Sequence, residues 1–118
     1  MGAKRFQDLI VWQKSHRLTL EVCRLVRGFP DEERYALSPQ MRRAAMSIPA
    51  NLAEGFASLT EKRRAWHYGI AWSSAEELRN FLILAKDLGY LDDPSALEAA
   101  LDEIGAMLYT LLRRILSA

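Results

Sequence analysis

The chain has 118 residues, half of them hydrophobic, which is enough apolar material for the core of a single domain, 1–118. Its net charge of +1 excludes the large basic excess of many nucleic-acid-binding domains, so any basic face must be local. The lone Cys23 excludes an intrachain disulfide, no signal peptide or membrane-length apolar run is present, and a cytoplasmic protein with no membrane association is expected.

The first helix is predicted from Gln7 to Arg27. It carries two apolar stripes at helical spacing, and the second contains Val11 and Leu18. One apolar face is enough to join a bundle, so the second stripe predicts a contact with another subunit. Val11 and Leu18 are therefore candidate interface residues.

The second helix is predicted to start at Ser38 as N-cap, with Pro39 in the first turn, and to end at Glu54 before Gly55. Pro49 lies in its interior, where a proline removes one backbone hydrogen bond and favours a kink. We expect the freed carbonyl to face water or a neighbouring polar side chain of the same helix, Ser47 or Asn51. A packing kink is the favoured interpretation over a functional site.

The third helix is predicted from a capping box at 58–61 to about Leu88, with Gly89 as its terminator. A stripe of mostly large residues predicts its core face: Trp66, Ile70, Ser73, Glu77, Phe81, Leu84 and Leu88. An adjoining stripe of smaller residues would allow close helix approach: Ala71, Ser74, Ala75, Leu78, Leu82 and Ala85.

Glu77 falls on the predicted core face, and a buried carboxylate requires a partner. The second helix offers Arg43, Ser47 and Asn51 on one polar stripe. We therefore predict a buried polar network in which Arg43 and Glu77 are the charged members and which fixes the register of the two helices. A ligand or catalytic site at this seam, and a Glu77 that reaches the surface or pairs elsewhere, are the alternatives.

The fourth helix is predicted to begin after 92–94 and to run to the C-terminus with a heptad seam of leucine and isoleucine residues. The short connections make consecutive helices antiparallel. The sequence therefore predicts an all-α fold, an up-down-up-down antiparallel four-helix bundle.

Catalytic and metal-binding patterns are absent from the sequence. His16 and His67 belong to no His-x₃-His or Glu-x-x-His pair, and no glycine-rich phosphate motif occurs. We predict no catalytic residues, no metal and no cofactor, and hence a protein that is not an enzyme.

Two basic clusters are candidates for contacts with RNA or DNA. Lys62, Arg63 and Arg64 open the third helix, where cations oppose the helix dipole, and Lys14 and Arg17 share a face of the first helix. The favoured interpretation is that these clusters are solvated surface charge and contact no nucleic acid. Surplus aromatic residues, of which Trp72 lies off the predicted core stripe, indicate a homo-oligomer with Trp72 at the subunit interface.

Five sequence segments carry a family resemblance, at 6–14, 29–33, 40–55, 70–78 and 88–91. The segment 40–55, QMRRAAMSIPANLAEG, is the most specific of them. With these segments the chain resembles the four-helix-bundle family described as proteins of intervening sequences in bacterial 23S ribosomal RNA genes. It departs from the family pattern at Ser73, where the family often has glycine, so packing near Glu77 is expected to differ.

The resemblance implies a bundle that assembles into a ring, commonly a pentamer. It extends in fold to accessory proteins of diversity-generating retroelements, which bind nucleic acid and a reverse transcriptase. Those relatives are strongly basic and this chain is not. The favoured hypothesis is therefore a ring-forming scaffold or accessory protein in an RNA- or protein-containing assembly, and the alternative is a nucleic-acid-binding module.

Overall fold

A computed structural model describes residues 2–117 of the chain, so Met1 and Ala118 of the predicted domain lie outside the described residues. Within 2–117 the secondary structure is entirely helical. The four long helices are α1 (Ile10–Arg27), α2 (Leu37–Ala57), α3 (Glu61–Asp87) and α4 (Ser95–Leu116), and short 3₁₀ turns occupy Phe6–Asp8 and Asp31–Glu33. The predicted all-α four-helix bundle is confirmed.

Consecutive helices run antiparallel, as paired contacts show for α2 with α3 and for α3 with α4. Between α2 and α3, Ser47 meets Ser74 and, one turn further along α2, Asn51 meets His67. Between α3 and α4, side-chain contacts join 72 to 109 and 79 to 102. An ion pair between Lys14 and the α4 carboxylate at 103 closes the bundle between α1 and α4. The result is an elongated body of 46 × 24 × 21 Å.

The ends of α3 are set by local sequence. The Thr60 hydroxyl accepts a hydrogen bond from the Arg63 backbone N–H at 3.2 Å, as an N-cap does. At the other end Gly89 adopts φ +83°, and the Tyr90 N–H donates to the Ala85 carbonyl at 2.9 Å. This bond closes the last turn in the Schellman manner, and the left-handed backbone it needs favours glycine.

The predicted ends of α2 are wrong at both positions. The helix starts at Leu37 with Ala36 as N-cap, so Ser38 lies in the first turn and caps nothing. It continues through Gly55 to Ala57, which places Gly55 inside the helix. A Cβ atom on Gly55 would lie 2.5 Å from a ring carbon of Tyr68, so this glycine is needed for close approach of α2 and α3.

The carbonyl freed by Pro49 receives its hydrogen bond from another helix. The Thr19 hydroxyl of α1 lies 3.1 Å from the Ala45 carbonyl oxygen, and 2.8 Å from the carbonyl of Ser15 in its own helix. Both acceptors therefore share one hydroxyl proton. The expected partners on α2, Ser47 and Asn51, are wrong, because their side chains form hydrogen bonds with each other and with Ser74 of α3.

The core face of α3 is the stripe of small residues. Its buried residues include Ala71, Ala75 and Ala85, whereas Trp66 is 61% exposed and Leu84 is 43% exposed. The predicted core stripe is therefore wrong. Small side chains let α2 and α4 approach α3 closely, and dense packing at short distance outweighs the larger apolar area of the other stripe.

A half-buried hydrogen bond joins the two connections at one end of the bundle. The Tyr90 hydroxyl donates to a carboxylate oxygen of Glu33 at 2.6 Å, and the Tyr90 ring packs against Phe29. Donation to this carboxylate raises the pKa of Tyr90 to about 12. None of the described helices has the length and apolar character needed to cross a membrane.

Candidate functional site

A chain of polar side chains runs along the seam between α2 and α3. The Ser74 hydroxyl donates to Ser47 Oγ at 2.7 Å, and the Asn51 amide donates to the same Oγ at 3.1 Å. His67 Nδ1 lies 3.1 Å from Asn51 Oδ1 and 3.3 Å from Glu54 Oε2. Because both of these oxygens are acceptors, Nδ1 carries the proton and donates.

Arg43 and Glu77, the predicted charged members of this network, are not in it. Both are exposed to solvent, and within residues 2–117 no ion pair or hydrogen bond of either side chain is found. The predicted burial of Glu77 is therefore wrong. Its physical reason is the reversal of the α3 faces: Glu77 belongs to the outward stripe, where a carboxylate keeps its hydration. Ser47 and Asn51 are half-buried and lie inside the chain of hydrogen bonds.

His67 and Glu54 are the members that sequence reasoning missed. His67 is 8% exposed, and Glu54 is exposed. The signal was present, because Glu54 lies on the same polar stripe of α2 as Ser47 and Asn51. The α3 partner could not be chosen without knowing which face of α3 is buried.

The polar side chains of the seam form a structural hydrogen-bond network between α2 and α3. Nucleophilic catalysis requires a nucleophile within hydrogen-bond reach of its base. Here Ser47 accepts hydrogen bonds from Ser74 and from Asn51, and neither serine is hydrogen-bonded to His67. Among residues 2–117 no group of three or more His, Cys, Asp or Glu side chains could hold a metal ion. The seam joins two helices and presents no nucleophile–base pair.

The predicted nucleic-acid contacts do not form one surface. Arg64 donates to the carbonyls of Gly55 and Ser58 at 3.1 and 2.8 Å and pairs with Glu61, so it closes the end of α2. Lys14 pairs with its α4 partner at position 103. The other three predicted contacts are exposed: Lys62 and Arg63 lie on α3, and Arg17 lies on α1.

The predicted subunit contacts Val11 and Leu18 are wrong, because they are core residues of the bundle. They are 4% and 2% exposed, so neither is accessible to a second chain. The second stripe of α1 is thus the face that joins the protomer's own bundle. Trp72 is 36% exposed and lies beside Tyr109 of α4, with ring centroids 6.1 Å apart.

A longer exposed surface than that of Trp72 and Tyr109 runs along α3. We call it the α3 outer face, and its members are Trp66, Ile70, Ser73, Glu77, Phe81, Leu84 and Leu88, all exposed or half-buried. An open depression of about 590 Å³ lies along its first half, lined by Trp66, Ile70 and Glu77 among others. The residues follow one another at steps of three and four, so the face is continuous along the helix, with Ser73 and Glu77 as its two polar members.

Comparison with known proteins places the chain in a family. Among solved structures, a protein of unknown function from the S23 ribosomal protein family of Bacteroides thetaiotaomicron is similar, with a TM-score of 0.81. The two share 21% sequence identity over 88% of this chain and 96% of that chain, a likeness that shows the fold alone. No curated protein matches the sequence. A family model described as 23S rRNA-intervening sequence protein matches residues 7–110. The chain belongs to the 23S rRNA-intervening sequence protein family.

Proposed function

We propose that the protein is a non-enzymatic helical bundle that assembles with copies of itself into a ring, of five subunits, and acts as a scaffold or accessory protein in an RNA- or protein-containing assembly. The observation that supports this proposal is the α3 outer face. A helix with apolar residues on two sides has more apolar surface than one bundle can cover. A second copy of the chain is the partner that is always present to cover it.

The energetic argument rests on apolar area. Removing apolar surface from water contributes about 25 cal/mol per Å², and a continuous exposed apolar patch on a soluble domain usually marks an interaction site. Trp66 and Leu88, 61% and 49% exposed, lie at opposite ends of the α3 outer face. Its only charged member is Glu77. Depletion of charge is typical of the core of an interface.

A ring requires two different patches, because each subunit must present one surface to its left neighbour and another to its right. A second patch is formed by Trp72 of α3 with Tyr109 of α4. At 100° per residue, it lies about a third of a turn around α3 from the outer face. Docking of one patch on the other in the next subunit gives a head-to-tail contact, which can close into a ring with an odd number of subunits.

The experiment compares two leucine-to-glutamate variants by light scattering and circular dichroism. Leu84 lies within the α3 outer face, and Leu59 lies in the α2–α3 connection, where it is 98% exposed. Leu84→Glu is expected to lower the mass to that of one chain with helicity retained, because it places a charge in the subunit contact. Leu59→Glu is the matched control and is expected to keep the wild-type mass.

An unchanged mass for Leu84→Glu would contradict the proposed interface. Should Leu84→Glu lose its helicity, Trp66→Glu gives the same test at a site that is more exposed in the protomer. Dissociation by both variants, with Leu59→Glu unaffected, would assign the subunit contact to the α3 outer face.

Nucleic-acid binding is the second candidate, and the position of Lys62 and Arg63 favours it. Both are exposed in the first turn of α3, where cations oppose the helix dipole and so contribute nothing to helix stability. A double alanine variant should weaken RNA binding and reduce its salt dependence by about one counterion per lost phosphate contact. RNA binding that is unchanged in this variant would count against the candidate.

A further inference from the structure

A pocket of arginine residues lies at the end of the bundle where α1 ends and α2 begins. Its volume is about 310 Å³, and its polar lining consists of Arg27, Arg34 and Arg42 with Asp31 and Ser38. We call it the α1–α2 pocket. Its volume falls in the range of roughly 300–1,000 Å³ that is usual for small-molecule sites.

The charges around the α1–α2 pocket are unbalanced. Three arginines and one carboxylate residue, Asp31, line it, and within residues 2–117 none of the three arginines forms an ion pair. Arg34 instead lies over the ring of Tyr35, at 5.5 Å from its centroid. Like charges that converge on one concave surface repel one another, and an anion between them removes that repulsion. Arginine is also the side chain whose planar donors match phosphate oxygens.

Ser38 supplies an independent observation. It is 5% exposed and lines the pocket, yet its hydroxyl makes no hydrogen bond to any described residue. Among the described residues the buried side-chain atom without a partner is Gln7 Oε1, so the Ser38 hydroxyl is open to the pocket and can donate to a ligand there. Ser38 also lies in the first turn of α2, where the Leu37 N–H donates to the Glu33 carboxylate at 3.4 Å. The first turn of a long helix is a general binding position for anions.

We propose that the α1–α2 pocket binds a small phosphate-bearing dianion, either inorganic phosphate or a phosphomonoester. Arg27, Arg34 and Arg42 neutralise it, and the Ser38 hydroxyl donates a hydrogen bond to it. The acidic turn Asp31–Glu33 adjoins the pocket. A nucleic-acid strand crossing the pocket would bring its neighbouring phosphates against these carboxylates, whereas a compact dianion avoids them. The proposal is independent of the assembly through α3.

The test is titration of the wild-type protein with inorganic phosphate and with glycerol phosphate at constant ionic strength, followed by calorimetry and by thermal unfolding. We expect saturable binding of phosphate and a rise in unfolding temperature. Tighter binding of glycerol phosphate would identify an ester as the ligand, and equal or weaker binding would identify free phosphate.

Two variants test the residues. Arg42→Gln is expected to weaken binding roughly tenfold or more, because it removes a charge-assisted hydrogen bond. Ser38→Ala is expected to weaken binding while leaving the stability of the ligand-free protein unchanged, since the hydroxyl has no protein partner to lose. Arg24→Gln is the matched control, because Arg24 is an exposed arginine of α1 that does not line the pocket.

Three results would overturn the proposal. The first is absence of saturable binding by either phosphate compound. The second is equal affinity in Arg42→Gln and Arg24→Gln. The third is binding of a single-stranded RNA that lacks terminal phosphates, weakened by Arg42→Gln, in a protein that binds neither small compound.

Discussion

At the scale of single residues, Gly55 determines how closely α2 approaches α3. A methyl group at this position would lie 2.5 and 2.8 Å from two ring carbons of Tyr68 and 3.2 Å from the Cβ of His67. The ring of Tyr68 is buried, so it can move only by disturbing the core. Burial also raises the pKa of the Tyr68 hydroxyl, which keeps the ring neutral.

We predict that Gly55→Ala lowers the free energy of unfolding by about 1–3 kcal/mol, the range for overpacked cores. Gly105→Ala is the matched control, because a Cβ there meets nothing within 4 Å. It is expected to raise stability by about 0.5–1 kcal/mol through the helix propensity of alanine. Urea unfolding of both variants measures the difference, and a Gly55→Ala protein as stable as Gly105→Ala would show that the two helices have room to separate.

Tyr90 gives the protein a specific response to alkaline pH. Its pKa is raised from 10.0 to about 12 because its hydroxyl donates to Glu33. Since the folded-state pKa lies above the ordinary value, the stabilisation by this contact is fully present below pH 10 and is lost as pH rises through about 12.

We therefore predict that Tyr90→Phe removes this response. The ultraviolet absorbance of tyrosinate in the wild type should show a late ionisation near pH 12 that is missing from Tyr90→Phe. Stability of the variant should also depend less on pH above 10, where the wild type loses the contact. A late ionisation that persists unchanged in Tyr90→Phe would assign it to another tyrosine.

At the scale of the helices, Arg64 joins the end of α2 to the start of α3. It donates to the carbonyl of Gly55, which also accepts from the Ser58 N–H, and to the carbonyl of Ser58, the C-cap of α2, and it pairs with Glu61. Free carbonyls at a helix end need such partners. Arg64 is therefore assigned to the fold and not to a ligand.

We predict that Arg64→Ala lowers the free energy of unfolding by about 1.5–3 kcal/mol, the range for hydrogen bonds made by a charged group. Arg63→Ala, its exposed neighbour, should change stability by less than about 0.5 kcal/mol. Thermal unfolding of the two variants separates the roles. If both variants unfold alike, the contacts of Arg64 contribute no more than surface charge does.

The sequence predicted the positions of the helices in the chain better than it predicted which face of each helix is buried. Gly89 marked the C-terminal end of α3 through simple local chemistry and acts as the expected terminator. The predicted capping box at 58–61 was wrong about the other end, because it placed the N-cap at Ser58 and the structure places it at Thr60. The faces of α3 were reversed, because both of its stripes have helical spacing and apolar content alone favours the one with Trp66. The deciding factor is how closely neighbouring helices approach, which depends on residues distant in sequence such as Gly55.

That reversal also explains what was wrong at the candidate site. A buried Glu77 required Arg43 as a partner, and neither residue is buried. The α2 side of the seam could be read from its polar stripe, which contains Ser47 and Asn51. Its α3 side could not, because His67 and Ser74 become visible as partners only when the small-residue face is turned inward.

At the scale of the whole molecule, one bundle leaves apolar surface uncovered. The α3 outer face was predicted as core for a physical reason that still holds: its residues are those that proteins bury. Because they are exposed in the single chain, we propose that another copy of the chain covers them, and self-association through this face is our central proposal.

The mass in solution tests this claim most directly. Light scattering of the purified wild-type protein, repeated over a range of concentrations, should give a mass near five times the 13.5 kDa of one chain. The mass should not fall on dilution through the micromolar range. A mass of one chain at every concentration, with helicity and cooperative unfolding intact, would contradict the account.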